Sequence, residues 1–216
     1  MVIRQPLNTN SSIKEIRKIL KNSIPDKSLF EKYRPQENWF LRPDSIHDIH
    51  GINHETRVMI LQEIISLLLI ETQKISLDQE ALRWSSATHD LRRTNDKFNK
   101  KHGCRSSLWV SKNLSSIISP ESISTVQFIN YWHATPDSKI PNLTDELAIF
   151  KDADALDRVR TNDLNPHFLR HQLSYDFLFS PAHDLFEISL QCQRAHSAPS
   201  FDCVLDAAIN IGLINK

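Results

Sequence analysis

Residues 53–73 read Asn-His-Glu-Thr-Arg-Val-Met-Ile-Leu-Gln-Glu-Ile-Ile-Ser-Leu-Leu-Leu-Ile-Glu-Thr-Gln. His54, Val58, Leu61, Ile65 and Leu68 recur at steps of three and four, which places them on one stripe of a long α-helix. The same period runs outward in both directions. Ile13, Ile16, Ile19 and Leu20 predict a short amphipathic helix that ends before Pro25. Asp78 is placed to cap a helix carrying Ala81, Leu82 and Trp84 up to the pair His89-Asp90. Further helices are expected over residues 106–118, 120–134 (Pro at the start), 144–161 (Thr144 as cap), 180–195 and 201–213. Residues 31–44, with Pro35, Pro43 and Trp39-Phe40, read as an irregular arm, and residues 91–103 as a polar, basic loop. No alternating strand of useful length and no internal repeat appears. The expectation is an all-α single domain, divided into an N-terminal helix and arm (1–45), a central core (46–165) and a C-terminal helical extension packed on it (166–216).

Bulk composition narrows the function classes. At 216 residues the chain is long enough for a real core, and its 40% hydrophobic and 24% charged content is ordinary for a globular protein. Lys+Arg and Asp+Glu are both 26, so no general electrostatic pull on nucleic acid or an acidic membrane is expected. That weakens a nuclease reading while leaving room for a local basic channel. Only 3 Gly argue against a Gly-rich phosphate loop. Cys104, Cys192 and Cys203 form no Cys-x-x-Cys, which speaks against a disulfide framework or a thiolate zinc site and fits a reducing compartment. The start of the chain lacks a signal core, and the apolar patch at 64–70 is too short to span a bilayer. A cytoplasmic protein is expected. The outlier is 10 His.

Where no thiolate is offered, a divalent first-row metal takes neutral imidazole and carboxylate. His54, His89, Asp90 and Asp154 supply both, on what read as three separate helices, and inward side chains of facing helices are how an all-helical domain builds a metal site. Adjacent His and Asp reach one ion only where the backbone leaves helical geometry, as at a helix end. The doublet occurs twice more, at His47-Asp48 and His183-Asp184, without an apolar helix before it; these read as surface pairs.

His54 in His-x-x-Arg-Val, His89-Asp90 and Asp154 in Lys-x-Ala-Asp-x-Leu resemble the HD-domain superfamily of metal-dependent phosphohydrolases, over roughly residues 46–160. The resemblance implies an HD-type helical domain with a central metal cleft. It implies hydrolysis of a phosphomonoester or phosphodiester in a nucleotide or another small phosphorylated molecule. It also places the ligand at Asp154 rather than at Asp152, about 200° around the helix, or Asp157, one turn on. His102 and His133 fall between the doublet and Asp154. Binuclear members of the superfamily show a similar order, including cyclic-dinucleotide phosphodiesterases and di-iron oxygenases. With both histidines converging, Asp90 would bridge two ions; otherwise His102 binds substrate phosphate and His133 is a satisfied helix-end histidine. His50, four residues before His54, resembles the proton-donating histidine of cyclic-nucleotide phosphodiesterases, or else caps a loop broken at Gly51.

Asp90 is the expected catalytic carboxylate, with Arg93 or Arg92 as a phosphate clamp. Arg57 either joins the substrate-binding set or pairs with Asp90, Asp96 or Asp157 to orient ligands. Lys97, Lys100 and Lys101 extend a basic rim. The glutamate that smaller nucleotidases of the superfamily carry after the doublet is missing, because no acid follows until Asp96. The expected metal is one or two ions of manganese, iron, cobalt, nickel, magnesium or zinc. Trp84, Phe98, Trp109, Tyr131 and Trp132 read as core, while Trp39-Phe40 would suit a lid or a homodimer contact. The alternatives to a hydrolase are a di-iron oxygenase on the same scaffold and a non-catalytic nucleotide sensor.

Overall fold

The long helix foreseen at 53–73 is the axis of the molecule. A computed structural model describes residues 5–97, 99, 101–196 and 200–216; Phe98 and Lys100 lie outside the described residues. Helices α1 (Thr9–Leu20), α2 (Lys27–Glu31), α3 (Ile52–Gln73), α4 (Gln79–Ser86), α5 (His102–Asn113), α6 (Pro120–Trp132), α7 (Asp145–Leu156), α8 (Gln172–His196) and α9 (Ser200–Ile211) follow in order. Among the described residues the only β pairing is an isolated bridge, Asp26 to Asn215. The chain is an all-α single domain. No helix of the described residues is long and apolar enough to cross a membrane.

The apolar stripe understated the burial of α3. Every residue from His54 to Ser66 is buried, because α1, α4, α7, α8 and α9 all pack on it. A helix wrapped on all sides must satisfy its polar groups internally. Glu63 does so with Arg83 of α4, at 2.8 and 2.7 Å. His54, Glu55 and Arg57 do so at the site described below.

Local chemistry sets the other boundaries. Asn8, Asp78, Ser119 and Thr144 each cap a helix by accepting a backbone N–H. The basic loop ends sooner than its polarity suggests, since α5 begins at His102. Gly103 explains why: a Cβ there would lie 2.4 Å from Asn130 O, so only glycine lets the start of α5 meet the end of α6. Helix α8 begins eight residues before the expected start, with Pro181 inside it, and so absorbs the 175–179 segment. Its hairpin with α9 pairs Cys192 with Cys203, Cα atoms 5.6 Å apart, one disulfide where the odd cysteine count and the absence of Cys-x-x-Cys speak against a disulfide framework. Cysteines 11 residues apart carry no sequence signature, and only the antiparallel helices bring them together.

The Trp39-Phe40 pair is also corrected. Phe40 is buried, and Trp39 lies half-buried 5.7 Å from Trp109 and 6.4 Å from Trp84, so the arm packs on the core and offers no exposed aromatic pair. Tyr131, by contrast, is exposed rather than core.

Candidate metal centre

Five elements deliver their side chains to one interior point. His54 comes from the first turn of α3, His89 and Asp90 from the turn after α4, and His102 from the first residue of α5. His133 follows α6, and Asp154 lies in the last turn of α7. Three triads of ligand atoms lie within 4.8 Å of one another: His54, His89 and Asp154; Asp90, His102 and His133; and His50, His54 and Asp90. Buried His/Asp groups of this kind can hold a metal ion. Asp90 joins the clusters, with Oδ1 3.0 Å from His102 Nε2 and 3.6 Å from His133 Nε2, and Oδ2 3.8 Å from His54 Nε2. Asp154 Oδ1 is 3.6 Å from His54 Nε2.

Each of the four core imidazoles is oriented by a hydrogen bond from Nδ1. His89 donates to Ser86 O, His102 to Asn99 O and His133 to Asn130 O, in each case the carbonyl three residues earlier. His54 donates to Asp157 Oδ2 at 2.7 Å. All four partners are acceptors only, so Nδ1 carries a proton in each ring and Nε2 is the nitrogen turned to the centre. Yet Nε2 of His54 lies 3.0 Å from Nε2 of His89, and Nε2 of His102 lies 2.8 Å from Nε2 of His133. Facing lone pairs need a proton or a cation between them. Two nitrogens bound to one metal at right angles, with bonds of about 2.0–2.1 Å, would sit about 3 Å apart. The donor set therefore fits a divalent ion.

Carboxylates sequence reasoning treated lightly complete the frame. Asp157 is fully buried and accepts from His54, from Arg57 Nε and Nη2, and from Arg160 Nη1. Burial raises its pKa, but Arg57 and His54 overcome that and hold it well below the usual carboxylate range. Glu55 accepts the Asp90 N–H at 3.2 Å and lies 3.0 Å from His89 Nδ1. Glu55 stands in the polar first turn of α3, where an acid is ordinary, so no sequence signal sets it apart.

The remaining expected residues divide. His50 converges, with Nδ1 2.7 Å from Asp90 Oδ2. Arg93 reaches Asp90 at 3.3 and 3.4 Å. Arg57 is turned away from the clusters onto Asp157, which favours ligand orientation over substrate contact. Arg92 points elsewhere, donating to Trp39 O at 3.0 Å. Asp152 faces the start of α8, where it accepts from His171 and Ser174. His47 and His183 are exposed, in keeping with surface pairs.

Burial lowers the pKa of His54 to about 3 and that of His133 to about 4, so both stay neutral. For His89 burial pulls the same way, but Glu55, Asp90 and Asp154 outweigh it and raise the pKa to about 9. Burial pushes Glu55 up to about 7. The signs give a pH dependence. Unfolded imidazoles titrate near 6.5, so between there and 3–4 the unfolded chain holds the extra protons of His54 and His133. Their contribution to stability is complete above 6.5 and lost as pH falls, with Glu55 offsetting part of the loss. The contribution of His89 is complete below 6.5 and lost as pH rises through about 9. Metal-free protein should therefore melt highest near pH 6.5, and bound metal should remove the alkaline decline by displacing the His89 proton. A melting temperature flat from pH 4 to 9 with and without metal contradicts these environments.

No protein-family model, curated protein or solved structure matches this chain.

Proposed function

We propose that the chain is an HD-type phosphohydrolase that works with two divalent ions. The observation that carries this reading is the convergence of four Nδ1-anchored imidazoles on Asp90 and Asp154. His54, His89 and Asp154 would hold one ion and His102 and His133 the other, with Asp90 shared. When bound, such ions lower the pKa of water and polarise a phosphoryl oxygen.

The chain's own groups do the rest. Asp154 is the most open of the ligands, its side chain 30% exposed, so substrate approaches from its side. His50 is 13% exposed and has Nδ1 engaged by Asp90 Oδ2. Its Nε2 is then the ring nitrogen left to exchange a proton with a leaving oxygen. Arg93 contacts both oxygens of Asp90 and anchors its loop by donating to Lys97 O at 2.9 Å. A small phosphorylated molecule such as a nucleotide is the substrate this site suits.

Metal-replete protein should release phosphate or a phosphomonoester from at least one member of a broad phosphoester panel. Chelation should abolish turnover, and divalent metal should restore it. The same nitrogen and oxygen donors around a shared carboxylate also suit two irons. Oxygen uptake without phosphate release would replace hydrolysis with oxygenation. Tight nucleotide binding without turnover would make the chain a sensor.

A further inference from the structure

We infer that Arg92 and Arg105 form a phosphate-binding surface on the basic segment after the doublet, distinct from the metal centre. The inference does not rest on the hydrolase reading. Positions 92–105 carry Arg92, Arg93, Lys97, Lys100, Lys101 and Arg105 against a single acid, Asp96. Asp96 is engaged by Arg42 at 3.4 Å, and Arg93 by Asp90 at 3.3 Å. Arg92 and Arg105 have no carboxylate partner among the described residues, and the residues outside that set include no acid.

The two arginines are tied to one another through the Arg92 backbone. Arg105 Nε donates to the carbonyl of Arg92 at 2.9 Å and its Nη2 to Asn99 Oδ1 at 2.8 Å. Arg92 Nη1 donates to Trp39 O, and its guanidinium carbon lies 5.9 Å from the centre of the Trp109 ring. That leaves Nε and Nη2 of Arg92 and Nη1 of Arg105 as donors without a partner among the described residues. Two arginines on one segment with free donors and no carboxylate partner suit an anion, and a phosphate oxygen pair matches a guanidinium fork. Both residues are half-buried, so the donors remain reachable from solvent. Asn99 links this surface to the interior: its side chain takes Arg105, while its carbonyl takes His102 Nδ1.

The shared ligand chemistry is a phosphate group, either of a free nucleotide or of a single-stranded nucleic acid. The purified full-length protein should be titrated with adenosine 5′-monophosphate and, separately, with a short single-stranded oligonucleotide. Calorimetry and the fluorescence of Trp39 and Trp109 give the readouts. At least one probe should bind, more weakly at high salt, and Arg92→Gln should weaken it about tenfold or more. Arg92→Lys should retain part of the affinity, and Arg92→Gln should keep the wild-type metal content, placing the probe away from the metal centre. The arm that binds tells which source of phosphate the surface takes. Arg105→Gln, checked for its melting temperature, is the second variant should Arg92→Gln fail to fold. Absence of binding by both probes, binding indifferent to both arginine variants, or loss of metal in Arg92→Gln would overturn the proposal.

Discussion

Asp90→Ala is expected to leave a chain that neither retains metal nor turns over substrate. Asp90 is the one side chain whose two oxygens face both histidine clusters: Oδ1 lies 3.0 Å from His102, and Oδ2 lies 2.7 Å from His50. Burial opposes its charge, but His89, His102, His133 and His50 hold its pKa well below the usual carboxylate value, so it is an anion at any working pH. Removing it leaves four imidazoles without their shared carboxylate. It also strands Arg93, which is 8% exposed and has no other carboxylate partner among the described residues. Asp90→Asn keeps the shape and removes the charge, which separates ligation from packing. Metal content and phosphoester turnover, measured on the same preparation, check the expectation. Turnover retained by Asp90→Ala would end the hydrolase reading.

The second large effect belongs to a residue that touches no expected substrate. Asp157→Ala should destabilise the fold by about 3–5 kcal/mol, because it removes one partner of a buried pair and strands the other. Arg57 is 4% exposed and directs Nε and Nη2 at this carboxylate. The same change releases His54 Nδ1 and should weaken metal binding about 10–100-fold. Asp157→Asn keeps an oxygen for His54 and should recover part of both losses. Urea unfolding of metal-free protein and a metal titration read the two effects separately. Stability within about 0.5 kcal/mol of wild type, as for an ordinary surface substitution, would show that Arg57 finds another partner.

The sequence made some of this legible for identifiable reasons. The 3.6-residue period marks α3, and the doublet stands at a helix end, so His54, His89 and Asp90 could be placed from spacing and residue chemistry, whereas the family resemblance alone selects Asp154 over Asp152 and Asp157. His102 and His133 could be named but not joined, because a 2.8 Å approach across 31 residues depends on Gly103 letting α5 meet α6. Asp157 and Glu55 sat beside expected ligands, yet their roles depend on which face of a fully buried helix meets which turn. Arg92 and Arg93 are neighbours in sequence and diverge in space. Arg93 turns inward to Asp90 and Arg92 turns outward to Trp39, a difference set by the loop backbone and by no local pattern.

On the proposed function these imidazoles and carboxylates hold two ions. Elemental analysis of anaerobically purified protein, run beside Asp90→Ala, tests it most directly. The account predicts close to two divalent ions per wild-type chain and none in the variant. Wild-type protein that comes out metal-free and stays so after incubation with manganese, iron, cobalt, nickel, magnesium and zinc would contradict it.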